Sequence, residues 1–138
     1  MGTRWSYSSQ VKLEQLDGRL RRVVERVRDV RDITIVTAHR GREEQNLMFK
    51  LKRSKVQWPD GKHNTMPSEA VDVQPYPYPE KESTLREDLS YIAGLFIAFG
   101  RAEGVVLRWG GDWDKDGETA DNKFDDLFHI EIVGEVSS

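Results

Sequence analysis

The chain of 138 residues has no cysteine and only three histidines, His39, His63 and His129. Thiolate metal sites and disulfides are excluded, so any metal has to rest on His, Asp and Glu. Asp72 stands alone in the apolar run "AVDV" (70–73), and a carboxylate in a buried strand is costly unless it is paired or bound to a cation. In "LFHIEIV" (127–133), strand alternation puts Phe128, Ile130 and Ile132 on one face and Leu127, His129, Glu131 and Val133 on the other. The same alternation pairs Ala70 with Asp72 and Val71 with Val73. Two strands thus each offer one ligand-type side chain, and His63, in the loop before the first, offers a third. Two imidazoles, one carboxylate and an open fourth position is the composition of a catalytic zinc site. The other reading is that the three never meet. Asp126, three residues before His129, stands where a general base would be needed, or else Asp125 and Asp126 merely end a polar loop.

The elements that must position these residues follow from periodicity. Leu13, Leu16, Leu20, Val23, Val24, Val27 and Val30 keep helical spacing, so residues 9–30 read as one amphipathic helix. Gly18 is a point at which it can split, with Asp17 capping the second piece. "ITIVTA" (33–38) reads as a strand, residues 42–52 as a helix, "AVDV" as a strand closed by "QPYPYP", 84–103 as a helix stopped by Gly104, and 105–109 and 127–133 as strands. The order is α+β: a small, mostly antiparallel sheet packed against helices, in one domain spanning 1–138.

Charge is unevenly distributed. Residues 1–62 carry 15 Lys/Arg against 8 Asp/Glu, and residues 63–138 carry 6 against 16. With no nucleic-acid-binding motif beside the basic half, the two halves are expected to pack on each other rather than on DNA or RNA. The first ten residues lack the apolar core of a secretory signal, and no stretch approaches the ~20 apolar residues of a membrane span. "DWDKDGETADNK" (112–123) begins like a Ca²⁺ loop, with Asp112, Asp114 and Asp116, but has Lys123 where the twelfth-position Glu belongs. It reads as a Ca²⁺ site or as a solvated acidic turn. Trp109 and Trp113 line a groove or pack in the core. Glu131 is placed to orient His129 from behind.

"KHNTMPSEAVDV" followed by "DLFHIEIV" resembles the zinc D-alanyl-D-alanine carboxypeptidases and phage L-alanyl-D-glutamate endopeptidases. That family carries Ser-x-His-x-x-Gly-x-Ala-x-Asp and a later acid-x-x-His. The resemblance implies a hedgehog/D,D-peptidase-like fold, Zn²⁺ on His63, Asp72 and His129, and Asp126 as the base. "TAHRGREEQ" resembles the family's Gly-Tyr-Arg-Ser-x-x-x-Gln segment, which implies that Arg40 holds substrate with Gln45 as its helix-side partner, clear of the metal ligands. "LRWGGDWDKDG" resembles a Gly- and Trp-rich segment of the phage members. Gly61 stands in place of the motif Ser, and His63 and Asp72 are nine residues apart rather than seven. His39, next to Arg40, reads as a wall of the site or as support behind its ligands rather than as a ligand.

The implied function is a peptidoglycan hydrolase that cuts the stem peptide, an endolysin held in the host cytoplasm until lysis, without membrane insertion; the sequence leaves the oligomeric state open, with a monomer favoured. The alternatives are a D,D-carboxypeptidase and a non-catalytic virion module that only grips peptidoglycan.

Overall fold

The computed structural model describes residues 5–54, 56–111 and 127–137. In chain order these form α1 (Tyr7–Leu13), α2 (Gly18–Val30), β1 (Ile33–Thr37), α3 (Arg42–Lys50), a 3₁₀ turn (Lys62–Asn64), β2 (Ala70–Pro75), α4 (Glu82–Ala102), β3 (Val105–Trp109) and β4 (His129–Glu135). The strands make one sheet in the order β1-β2-β4-β3, antiparallel at every pairing. The architecture is α+β, as the periodicity implies.

One face of the sheet is apolar. Ile35, Val71, Val73, Leu107, Ile130 and Ile132 pack there against Leu20, Val23, Val24 and Val27 of α2 and Leu89, Ile92 and Phe96 of α4. Each fully buried aliphatic side chain contributes roughly 1.5–3 kcal/mol. The opposite face carries Asp72, His129 and Glu131. Val30, expected on the helix's apolar stripe, is 51% exposed at the end of α2.

The helical stretch over 9–30 splits at Gly18 into two helices, with Asp17 as the cap of the second, the split that the sequence allowed. Ser6 caps α1 by accepting the Ser9 N–H, and Asp17 caps α2 by accepting the Arg19 N–H at 2.9 Å and the Leu20 N–H at 3.5 Å. The break between them has a partner. The Asp17 N–H donates to the Ser68 carbonyl and the Ser68 N–H to the Gln15 carbonyl, each at 2.8 Å, so the loop leading into β2 is tied to the gap between the helices. Gly104 ends α4 as expected, at φ +88°, where an L side chain would be strained.

β2 runs further than "AVDV". Gln74 and Pro75 continue it, paired with Thr34 and Ile33 of β1. On the other edge, β4 pairs with β2 only from Ala70 to Asp72, so the proline lies where the strand has a neighbour on one side alone. β4 itself begins at His129 rather than Leu127 and extends to Glu135.

The basic and acidic halves meet. Arg22 and Arg26 reach Glu103, Arg19 reaches Glu135, and Arg31 reaches Asp88, at 2.8–3.4 Å. These contacts are largely exposed and screened by water, so they add little to stability. Arg26 also lies over the ring of Phe99 and Arg28 over that of Trp5. Among the described residues no helix is long and apolar enough to cross a membrane.

The Asp17 cap has a pH signature. Burial raises its pKa, but hydrogen bonds and charge from Arg19 outweigh burial and hold it below its ordinary value of 3.8. A carboxylate with a depressed folded-state pKa stabilises above its unfolded pKa and loses that contribution as pH falls through the folded one. Asp17→Ala is expected to cost about 0.5–2 kcal/mol at neutral pH. The gap to the parent protein should close below about pH 4. Urea midpoints across pH measure this, and a gap independent of pH would exclude the carboxylate as its source.

Candidate active site

The β2–β4 register makes Asp72 and His129 direct Cα partners and sets Ala70 opposite Glu131. His63 comes to them from the 3₁₀ turn. That turn is fixed on both sides: the Gly61 N–H donates to Asn64 Oδ1 at 2.7 Å, and the Arg40 N–H donates to the His63 carbonyl at 2.8 Å. A Cβ on Gly61 would stand 2.7 Å from Asn64 Oδ1. A serine there would displace the asparagine that closes the turn, which is a physical reason for the glycine in this chain. The two extra residues between His63 and Asp72 are absorbed by a loop ending at Ser68, which is tied to the α1–α2 break and donates its hydroxyl to the Ala38 carbonyl at 3.0 Å.

The result is a closed triangle of buried atoms. His63 Nε2 lies 3.1 Å from Asp72 Oδ1, His129 Nδ1 lies 3.1 Å from the same oxygen, and the two nitrogens are 3.2 Å apart. The far side of each ring decides what the triangle holds. His63 Nδ1 is 2.7 Å from the Ala38 carbonyl, which can only accept, so Nδ1 carries the proton. His129 Nε2 is 2.7 Å from Glu131 Oε1, an acceptor once ionised. In the neutral rings, His63 Nε2 and His129 Nδ1 are therefore both unprotonated. Two ring lone pairs and a carboxylate oxygen converge on one point, which positive charge at the centre must offset.

The group could bind a metal ion. A tetrahedral ion with bonds of about 2.0–2.1 Å sets its ligand atoms about 3.3–3.4 Å apart, within a few tenths of an ångström of this triangle.

The surroundings are polar and paired. Burial raises the Asp72 pKa, but when the imidazoles of His63 and His129 carry a proton towards it their charge and hydrogen bonds outweigh burial and hold the carboxyl well below the usual carboxylate range. Its second oxygen, Oδ2, accepts from Arg40 Nη2 at 3.3 Å. Arg40 Nη1 donates to Gln45 Oε1 at 3.2 Å, and Arg40 Nε lies 3.5 Å from Glu44. The expectation that Arg40 stands clear of the metal ligands is corrected here: it holds one of them. Gln45 is fully buried, accepts also from Asn64 Nδ2, and donates to Ser54 Oγ and the Val56 carbonyl. Glu131 has a depressed pKa as well. Burial opposes this, and the His129 hydrogen bond and the Arg108 charge win.

The triangle lies in a cleft of about 1330 Å³ whose walls include Arg40, Gly61, Tyr78, Arg108, Phe128 and Glu131. Small-molecule pockets run to about 300–1000 Å³, so this opening suits an extended chain. His39 is neither in the triangle, in keeping with its reading as a non-ligand, nor among the cleft-lining residues, so it is not a wall of the cleft. Trp109 packs in the core, its indole N–H on the Leu127 carbonyl. Asp126, Trp113 and the acidic positions Asp112, Asp114 and Asp116 lie outside the described residues. Sequence reasoning missed Asn64, Ser68 and Arg108. Arg108 was the one within reach, because pairing "VVLRW" with "HIEIV" puts it opposite Glu131.

Among solved structures, the L-Ala D-Glu endopeptidase ChiX of Serratia marcescens shares the fold, with a TM-score of 0.70 at 19% identity over 95% of this chain and 90% of that one. No curated protein sequence matches the chain. Fold and site belong to the class of hydrolases that cut cell-wall peptides. Residues 1–133 match the model of the phage L-alanyl-D-glutamate peptidase family, and the chain belongs to that family. It is an L-alanyl-D-glutamate endopeptidase, and its substrate is peptidoglycan.

Arg40 bridges Asp72 and Gln45 with two nitrogens, which a lysine ammonium cannot reproduce in that geometry. Arg40→Lys is expected to destabilise the fold by about 1.5–3 kcal/mol, the worth of a charge-assisted hydrogen bond. A urea midpoint equal to that of the parent would show that the bridge contributes nothing to stability.

Proposed function

We propose that the endopeptidase uses a zinc ion held by His63, Asp72 and His129, with Asp126 as general base and Arg40 paired with a substrate carboxylate. The observation that supports this most is the convergence of two ring nitrogens and Asp72 Oδ1 within 3.1–3.2 Å of one another. The donor set of two imidazoles and a carboxylate, with the cleft open beside it, favours zinc with a free position over a closed structural site. Zinc there would supply Lewis-acid chemistry, polarising the scissile carbonyl and making water acidic enough to lose a proton near neutral pH.

The chain's own residues do the rest. Asp126 takes the proton from the attacking water and passes it to the departing amine of D-glutamate. Asp126 adjoins Leu127, which lines the cleft. Arg40 already uses two nitrogens on Asp72 and Gln45. Glu44, whose side chain is 60% exposed, is the partner that an arriving carboxylate can replace without disturbing those two bonds. A guanidinium presents five donors, enough to hold both sets. The chain's phage family supports a role in lysis, with the enzyme made inside the host cell and acting on its wall.

Digestion of a defined muropeptide, read by mass spectrometry, tests bond choice. Products split between L-alanine and D-glutamate are expected, whereas release of terminal D-alanine alone would make the chain a carboxypeptidase. His129→Ala should lose stoichiometric zinc, and parental zinc content in that variant would sink the ligand set. Asp126→Asn should keep zinc and lose hydrolysis by about 10²–10⁴-fold. Near-normal turnover would remove Asp126 from the mechanism, and loss of zinc would make it a ligand instead.

A further inference from the structure

We infer that Arg108 and Glu131 form a positioning relay that sets the metal affinity of His129, Arg108 acting through Glu131. This rests on the ligand set proposed above and assigns a role to two residues outside that set.

The geometry is continuous. Arg108 Nη2 donates to Glu131 Oε2 at 2.9 Å, and Glu131 Oε1 accepts from His129 Nε2 at 2.7 Å. Each carboxylate oxygen is committed to a different partner, so the carboxylate cannot rotate without breaking one bond. Arg108 and Glu131 are directly opposite in the β3–β4 register, and Glu131 and His129 are two apart on β4, so all three side chains leave rigid strands on one face. Glu131 is 7% exposed. Its bond to His129 is therefore little screened by water.

The two histidines are held differently. The proton of His63 goes to a neutral carbonyl, that of Ala38, which also accepts the Ser68 hydroxyl. The proton of His129 goes to a carboxylate. An anion behind the ring enforces the tautomer and increases the electron density available at Nδ1, the atom that faces Asp72. Arg108 fixes the direction from which that anion acts. The relay thus feeds charge to one ligand of the three, at the strand position where a small rotation of the ring would move Nδ1 off the centre.

The test is zinc affinity of the metal-free protein, by competition with a chromophoric chelator. The proteins are the parent, Glu131→Gln, Glu131→Ala, Arg108→Met and the double variant Arg108→Met/Glu131→Ala. Removing a partner of this kind typically costs 10–100-fold in metal affinity, and that is the loss expected for Glu131→Ala. Glu131→Gln keeps an acceptor for the His129 proton but not the charge, and should fall between Glu131→Ala and the parent. Arg108→Met should weaken binding several-fold when Glu131 is present and not at all when it is absent. Thermal midpoints of the metal-free proteins serve as the fold control, and Glu131→Gln, being isosteric, keeps the test decisive if the alanine variant unfolds. Parental affinity in both Glu131 variants would overturn the relay. So would an Arg108→Met penalty that persists undiminished without Glu131. If the parent itself takes up no zinc, the ligand set fails. If the parent binds zinc, His129→Ala does not, and the Glu131 variants match the parent, only the relay fails.

Discussion

A carboxylate buried in the middle of a sheet is the constraint around which this molecule is arranged. Taking an ion out of water costs several kcal/mol even after relaxation, roughly, and is tolerated only where partners replace the water. Asp72 is met on both oxygens: the Arg40 guanidinium donates to Oδ2, and Oδ1 shares its centre with two imidazole nitrogens, where a proton or a metal cation supplies the positive charge. None of the three partners is local in sequence. His129 depends on the β2–β4 register, and a slip of one residue would turn His129 and Glu131 into the apolar core and bring Ile130 to the cleft. His63 depends on the turn that Gly61 and Asn64 close, and Arg40 on the backbone bond to that same turn.

The parts that look remote serve the same end. The break between α1 and α2 exposes backbone groups that a continuous helix would have satisfied internally. Those groups take up Ser68, the last fixed point before β2. Ser68 in turn shares the Ala38 carbonyl with His63, so the helix break, the end of β1 and the first histidine form one connected set of hydrogen bonds. Gln45 plays the corresponding part on the other side, joining α3 to Arg40, Asn64 and the 54–56 segment. It is the buried residue of α3, so that helix is fastened to the cleft by polar contacts more than by packing.

What was legible in the sequence was whatever depends on local period and local chemistry. Alternation in "LFHIEIV" and "AVDV" placed Asp72, His129 and Glu131 on the face opposite Ile130, Ile132, Val71 and Val73. Asp17 and Gly104 could be read as a cap and a stop because both act within a few residues. The extension of β2 through Pro75 was not legible, since it turns on which neighbour a strand edge faces. Nor was the seat of Arg40: a guanidinium beside two glutamates and a glutamine has several local partners, and only the fold brings Asp72 within 3.3 Å. The segment similarities pointed to the right family because they span strand, turn and strand in order, which chance matches to any one of them would not.

The side chains of the triangle are gathered from β2, β4 and the turn at 62–64, which are distant in sequence and meet only in the native state. A cation on this group would therefore bind the folded chain and have little hold on the unfolded one, and would stabilise the fold by an amount set by its concentration and affinity. The same centre lies open to a cleft large enough for an extended peptide. Rigidity is concentrated where charges must be held within a few tenths of an ångström, by the sheet on one side and the Arg40–Gln45–Asn64 network on the other. The cleft wall beyond Gln45, by contrast, is carried on the lightly packed α3. A site built this way can hold its reacting groups fixed while the wall beside them adjusts to a polymer substrate, because the bonds that position Asp72, His63 and His129 do not run through that wall's apolar contacts.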